Sequence, residues 1–393
     1  MTDCRLPLGG KRLSIDRLGI LITLFLGFAL WPSPFVTVRA NRIASGQPFT
    51  LFEALPWFGI AALLSAVLVA AVVALSVRQP WARLAAATLG LIILLPAVGL
   101  AATWLTPAGN SFARISPAVG FWLLALGLAL LVADSMTRLH VSPAARVGAL
   151  VSAALVIALI ITSGAWNDLS VMKEYANRSD SFGREIYQHL LLAIGSLVSA
   201  ITVGVPLGIL CHRRAGLRAA ALQTLGIVQT IPSIALFGIL MVPLGYLAAT
   251  VPLAHAVGIR GIGAAPAFVA LFLYSLLPIV ANTVVGLDQV SAAVIDAARG
   301  MGMSRRQRLL HVELPLSLPI ILAGARIVLV QNLGLASVAA LIGGGGLGTF
   351  IFQGIGQTAM DLVLLGAIPI VAMAFAAAVI LDAMVDFADR GTA

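Results

Sequence analysis

Long apolar runs, separated by charged or Gly/Pro-rich breaks, set the pattern of this chain. They predict membrane spans at residues 18–36, 57–76, 84–105, 117–133 and 146–164. Five more follow at 187–211, 219–247, 266–287, 318–342 and 362–385. Each approaches the roughly 20 residues that a helix needs to cross a bilayer. The spans fall into two groups of five, in residues 1–165 and 187–393. Between them lies a polar stretch, Trp166 to Ile186. It is long enough for a short amphipathic helix on the membrane surface, and it reads equally as a solvated linker. The expected fold is all-α, a polytopic membrane protein of about ten transmembrane helices.

Composition narrows the class. The 393 residues are 60% apolar and 10% charged, with a mean hydropathy of +1.06. Soluble domains are nearer 45–50% apolar and about 25% charged. A soluble enzyme, a coiled coil and a disordered chain are excluded. The net charge of +9 would suggest nucleic acid in a soluble protein. In a membrane chain it reads as topology, because Lys and Arg favour cytoplasmic segments. With the N-terminus inside, 16 of the 24 basic residues fall on cytoplasmic segments and seven outside, with Arg326 within a span. An even span count puts both termini in the cytosol, in agreement with that bias. Trp31-Pro32-Ser33-Pro34-Phe35 after the first run is no small-residue cleavage site, so that helix is expected to be retained. Cys4 and Cys211 both fall on the cytoplasmic side and are expected to be reduced. The histidines (140, 189, 212, 255, 311) are scattered near span ends without metal or nucleophile spacing.

The longest cytoplasmic loop, 288–318, has the strongest local signals. Gln289 to Arg299 is a helical run. Gly300 and Gly302 permit the positive φ that ends a helix. Ser304 followed by Gln307 is a capping-box pattern. Arg305, Arg306 and Arg308 then cluster beside Leu309 and Leu310, and Pro315 and Pro319 are expected to stop that helix and start the next span. The expectation is two short helices meeting at a glycine turn that projects into the cytosol.

This loop resembles the signature of permease subunits of binding-protein-dependent ABC importers: Glu-Ala-Ala, three residues, Gly, nine residues, Ile-x-Leu-Pro. Here it reads Asp296-Ala297-Ala298, three residues, Gly302, nine residues, Val312-Glu313-Leu314-Pro315. The departures are Asp for Glu and Val for Ile. The resemblance implies a type I importer permease core in the C-terminal half. It also implies that Asp296, Ala297, Ala298, Gly302, Leu314 and Pro315 couple to a cytosolic ATPase subunit. Further stretches are similar to permeases for glycine betaine, choline, carnitine and related osmoprotectants. They are Gln229-Thr230-Ile231-Pro232-Ser233, Tyr274 to Pro278, Asn282-Thr283, Gln331-Asn332 and the glycine run from Gly343 to Gly348. The similarity covers about 182–393 and leaves the first five spans as an extension found in some longer members.

The residues themselves support a polar path. Gln229, Thr230, Ser233, Tyr274, Asn282, Thr283, Gln331 and Asn332 are polar positions in apolar spans. Such groups usually face the bundle interior, either as path lining or as interhelical hydrogen bonds. No acid falls at a span centre, which suits a zwitterionic cargo. Arg326 is expected to snorkel toward the cytosol or to pair with Asp288 or Asp296. The glycine run at 343–348 and Gly9-Gly10-Lys11 both lack the spacing of a phosphate loop. Gly204-x-x-x-Gly208 and the run from Gly343 permit close helix packing, with a bend or a mobile outer gate as the alternative.

The resemblance therefore implies a transport subunit of the bacterial cytoplasmic (inner) membrane, without catalytic residues, metal or cofactor of its own. ATP and Mg²⁺ would bind the partner ATPase. The implied partners are that ATPase, an extracytoplasmic substrate-binding protein, a second permease copy or paralogue, and membrane lipid, with no nucleic acid. An aromatic cage for a quaternary ammonium is expected on the binding protein. A permease for another small polar, amino-acid-like solute and an ion-coupled secondary transporter are the alternatives.

Overall fold

The computed structural model describes residues 17–41, 44–107, 112–256 and 258–392, without the side chains of 390–392. Cys4, the basic residues before Arg17 and the Gly9-Gly10-Lys11 stretch lie outside the described residues. The chain divides into two compact units. One contains 1–141 and 156–173, the other 142–155 and 174–393.

In the first unit, helix α1 (Arg17–Leu30) leads into strands β1 (Val36–Arg39) and β2 (Gln47–Phe49). Then follow α2 (Leu51–Ala54), α3 (Trp57–Ser76), α4 (Pro80–Leu105), strand β3 (Arg114–Pro117) and α5 (Val119–Arg138). The first apolar run thus ends as a helix at Leu30 and not at 36. The Trp31-Pro32-Ser33-Pro34 segment cannot continue it, and Phe35 and Val36 are buried at the start of a strand. The sheet was not foreseen. Its order is β2-β1-β3, all antiparallel, with Val36 opposite both Phe49 and Pro117. Its strands are three or four residues long and two contain proline, too little for an alternating pattern to register. At its edge Thr50 and Glu53 close a capping box. The Thr50 N–H and hydroxyl donate to Glu53 and hold its carboxyl below the ordinary value. Leu26, Leu63, Leu94, Leu124, Leu128 and Ile115 form the core. Trp166, from the polar stretch, donates from Nε1 to Leu95 O at 2.8 Å.

Arg83 is fully buried where α3 gives way to α4. It donates to Val77 O at 2.7 Å and Ala74 O at 2.9 Å, and its guanidinium lies 3.7 Å from Asp134. It thereby caps the last carbonyls of α3 from the next helix.

Helix α6 (Pro143–Thr162) has its residues through 155 in the second unit and the rest in the first. The remaining helices are α7 (Ser170–Ala176), α8 (Ser179–Arg213), α9 (Ala215–Thr230), α10 (Ser233–Thr250), α11 (Pro252–Ala256) and α12 (Ala264–Asp288). After these come α13 (Ala292–Gly300), α14 (Arg305–Arg308), α15 (Leu314–Leu335), α16 (Gly348–Gly356) and α17 (Met360–Thr392). The segment 166–186 therefore carries α7 and the polar first turns of α8.

Among the described residues, nine helices are long and apolar enough to cross a membrane; α1, with 14 residues, is a shorter apolar helix. One expected span changes character. Residues 219–247 do not form a single kinked helix. Ile231 and Pro232 separate α9 from α10, and only α10 meets the length and hydropathy of a span. Helices α8 and α12 pack with Gly204 and Gly208 in the seam. A Cβ on Gly208 would stand 2.6 Å from Thr283 Cβ and 3.1 Å from Val280 O. Small residues permit this approach where lipid supplies no hydrophobic drive between helices.

Candidate functional site

The break between α9 and α10 organises the polar residues around it. Pro278 has no N–H, so the carbonyl of Tyr274, one turn earlier in α12, loses its helical donor. Gln229 fills that gap: its Nε2 donates to Tyr274 O at 2.8 Å. Tyr274 returns the favour, because its hydroxyl donates to Ile231 O at 2.6 Å, the carbonyl that faces the Pro232 break. Two proline defects on neighbouring helices are thus re-satisfied by one reciprocal clasp, as a bilayer interior requires. Thr230 donates to Ile227 O and Asn282 to Pro278 O, both within their own helices. Ser233 and Gln331 are half-buried.

Gln229→Leu and Tyr274→Phe should each lower stability by about 1–2 kcal/mol, since each leaves a buried carbonyl without a donor. Pro278→Ala restores an N–H to Tyr274 O. It should rescue Gln229→Leu and leave Tyr274→Phe unrescued. Thermal unfolding of the purified variants reads this; equal rescue of both would sink the assignment.

Asn332 sits deeper and is fully buried. Its Nδ2 donates to Ser196 Oγ and Ser275 Oγ, both at 2.9 Å. Each serine hydroxyl in turn donates to the carbonyl four residues back, Leu192 O and Leu271 O, at 2.6 Å. One amide therefore ties α8, α12 and α15 together. Sequence reasoning selected Asn332 and missed both serines, although serine in an apolar run carries the same signal.

At the other end of α15 from the 288–318 loop, the glycine run is gripped by the first turns of α8. Gly343, Gly345 and Gly346 all have φ between 72° and 82°. Glu185 accepts from Gly346 N–H at 2.7 Å, and Gln188 Nε2 donates to Gly344 O at 3.2 Å. The buried His189 donates from Nε2 to Leu333 O at 3.0 Å. These three polar contacts were not anticipated; the first two arise because glycine leaves its backbone open to side chains.

The elbow at 288–318 forms as its local signals imply, with one difference. Ser291 caps α13, accepting from Val294 N–H. Gly302 turns the chain at φ 77°, and Ser304 and Gln307 complete a reciprocal capping box. Ala297 and Met301 are exposed, whereas Ala298 is buried against the turn. Asp296 pairs with Arg299 at 3.0 Å. The prolines do not stop the second helix. It runs unbroken from Arg305 to Leu335, passing through a π turn at Leu309–Glu313. Pro315 follows the π turn directly, in the first turn of α15. Leu314 is half-buried and Pro315 exposed. Glu313 is buried and paired with Arg308.

At the neck of the elbow, Asp288 accepts from His212 Nδ1 and Arg218 Nη1, each at 2.8 Å. Arg326 does not pair with Asp288 or Asp296, both already engaged. It pairs with Asp382 of α17, which also takes Arg146 at 2.6 Å. Arg146 pairs further with Asp386. The partner was missed because it lies 56 residues along the chain. Among the described residues no group of three or more metal-ligating side chains converges.

Comparison with known proteins bears on both halves. Residues 204–393 match the family described as the binding-protein-dependent transport system inner membrane component. Residues 16–172 match the N-terminal domain of the ABC transporter permease YehY. The osmoprotectant import permease protein OsmW of Salmonella typhimurium is 42% identical over 188 residues, 48% of this chain and 82% of that protein. The glycine betaine/carnitine/choline transport system permease protein OpuCD of Bacillus subtilis is 36% identical over 208 residues, 53% of this chain and 82% of that protein. A solved inward-facing MetNI methionine ABC transporter aligns at 22% identity with a TM-score of 0.45, over 53% of this chain and 95% of that one. On this sequence similarity, the chain is a multi-pass permease of the binding-protein-dependent ABC transport family, carrying a YehY-type N-terminal membrane domain.

Proposed function

We propose that this chain is the permease subunit of an ATP-driven importer for osmoprotectants such as glycine betaine, choline or carnitine. The observation that carries the reading is the projecting elbow, with the full Asp296 to Pro315 spacing, in a chain whose relatives are named for those cargoes. Family membership favours ATP-driven over ion-coupled transport.

In this reading a separate ATPase subunit docks on Asp296, Ala297, Ala298, Gly302, Leu314 and Pro315, and hydrolyses ATP. A separate extracytoplasmic binding protein delivers cargo, and a second permease copy or paralogue completes the pathway. Both termini lie in the cytosol of a bacterial cell. Residues 187–393 form the permease core, and 1–165 the membrane extension. Cargo passes near Gln229, Thr230, Ser233, Tyr274, Asn282, Gln331 and Asn332. Glu185, Asp288 and Asp361 lie toward helix ends, and Arg326 within α15 is paired with Asp382. A zwitterion passing near the polar residues therefore meets dipoles and, at Arg326, a charge already paired.

The test is uptake of labelled glycine betaine into proteoliposomes holding this chain, the ATPase subunit and the binding protein. Uptake should require ATP and binding protein. Ala297→Trp, on an exposed face, should leave folding intact and cut uptake roughly thirty-fold, the size expected for a central interface residue. Uptake driven by an ion gradient without ATP would refute the reading.

A further inference from the structure

The elbow carries four arginines whose circumstances differ. Arg299 is paired with Asp296, and Arg308 with the buried Glu313. Arg305 and Arg306 are exposed and form no ion pair with any described residue. They also occupy an unfavourable place. With Ser304 as N-cap, they are the first two residues of the helix that runs to Leu335. That end of a helix carries partial positive charge and disfavours cations. The two also put two positive charges in the same turn, with no carboxylate among residues 304–308. Nothing within the described chain offsets this arrangement.

We propose that Arg305 and Arg306 bind carboxylates on the ATPase subunit, forming a charged half of the docking surface beside the small-residue face at Ala297. This rests on the docking role given to the elbow above. Helix length decides between a protein partner and a lipid headgroup. Residues 314–335 are mainly apolar, with Arg326 paired to Asp382, and about 33 Å long at 1.5 Å per residue, enough to cross the hydrocarbon. Residues 305–313 are largely polar and extend about 13 Å further toward the cytosol. The headgroup layer is only about 5–7 Å thick on each side. The two guanidinium groups therefore stand beyond the lipid phosphates, level with a docked protein. The elbow projects them beside the Gly302 turn, where the exposed Ala297 and Met301 lie on the preceding helix.

The experiment uses the full chain in nanodiscs of phosphatidylcholine, with and without phosphatidylglycerol, and measures the affinity of the importer's purified ATPase subunit at several salt concentrations. Four forms are compared: the natural chain, R305Q/R306Q, R305E/R306E and A297W. R305Q/R306Q should weaken binding about tenfold at low salt and flatten its salt dependence, equally in both lipids. R305E/R306E should bind more weakly still. Thermal unfolding of both should be unchanged or raised, because cations leave a helix N-terminus. If A297W abolishes binding while R305Q/R306Q retains full affinity and salt slope, docking stands and the carboxylate proposal falls. If A297W and R305Q/R306Q both bind normally, the docking role itself falls, and the proposal with it. A loss confined to the phosphatidylglycerol discs would assign the arginines to lipid and overturn the proposal.

Discussion

Replacing Gly208 with leucine should prevent the permease unit from accumulating as folded protein in the membrane. A Cβ alone at this position would stand 2.6 Å from Thr283 Cβ, well inside van der Waals contact, and 3.1 Å from the backbone carbonyl of Val280. The side chain cannot turn away, because helix α12 backbone lies directly opposite. Overpacking a tight core costs about 1–3 kcal/mol and more when backbone must move. In a bilayer, close packing is a main force joining helices, so the loss is not recovered by burial elsewhere. Gly208→Ala should unfold at lower temperature than the natural protein but still fold. Gly226→Leu, where an added Cβ meets nothing within 4 Å, is the control. The measurement is the yield of monodisperse protein in mild detergent. If Gly208→Leu purifies as well as Gly226→Leu, the α8–α12 seam is not what holds the unit together.

Arg83→Met should cost the N-terminal unit about 2–3 kcal/mol, since two carbonyls lose a charged donor. Methionine fills similar volume, so the loss reads out the guanidinium. Ala74 O and Val77 O lose their donors, and Asp134 loses a neighbouring charge. Arg138→Met removes the other arginine on Asp134, but Arg138 is 42% exposed there, so it should cost at most about 1 kcal/mol. Thermal unfolding of the two variants separates them. Equal shifts would mean that burial of Arg83 contributes nothing.

The spans were legible because a bilayer demands long apolar runs, and the elbow because capping and glycine turns are local chemistry. Ser304, Gln307 and Gly302 determine their geometry within a few residues of themselves. Features that depend on distant pairing were not legible. The strand at Val36–Arg39 finds its partners at residues 47–49 and 114–117, and Arg326 finds Asp382. The α9–α10 interruption lies between these cases. Pro232 announced a defect, but whether a proline kinks or separates a helix depends on what receives the carbonyl left open at the break, here Ile231 O. That receiver is Tyr274, on another helix. The polar positions in the second half were found by their character and not by their partners. Gln229 and Tyr274 serve each other's backbone, and Asn332 serves two serines.

The π turn at Leu309–Glu313 has a geometric effect that reaches beyond its five residues. An α-helix advances about 100° per residue, so one additional residue in a turn rotates everything before it by about that angle. Ser304 to Arg308 consequently face a different compass bearing from the one a plain helix ending at Leu335 would give them. The elbow is aimed like a key bit on its shaft: the direction is fixed by a single backbone hydrogen-bond choice, Leu314 N–H to Leu309 O. Because no flexible joint intervenes between bit and shaft, any rotation of α15 about its axis turns the elbow through the same angle.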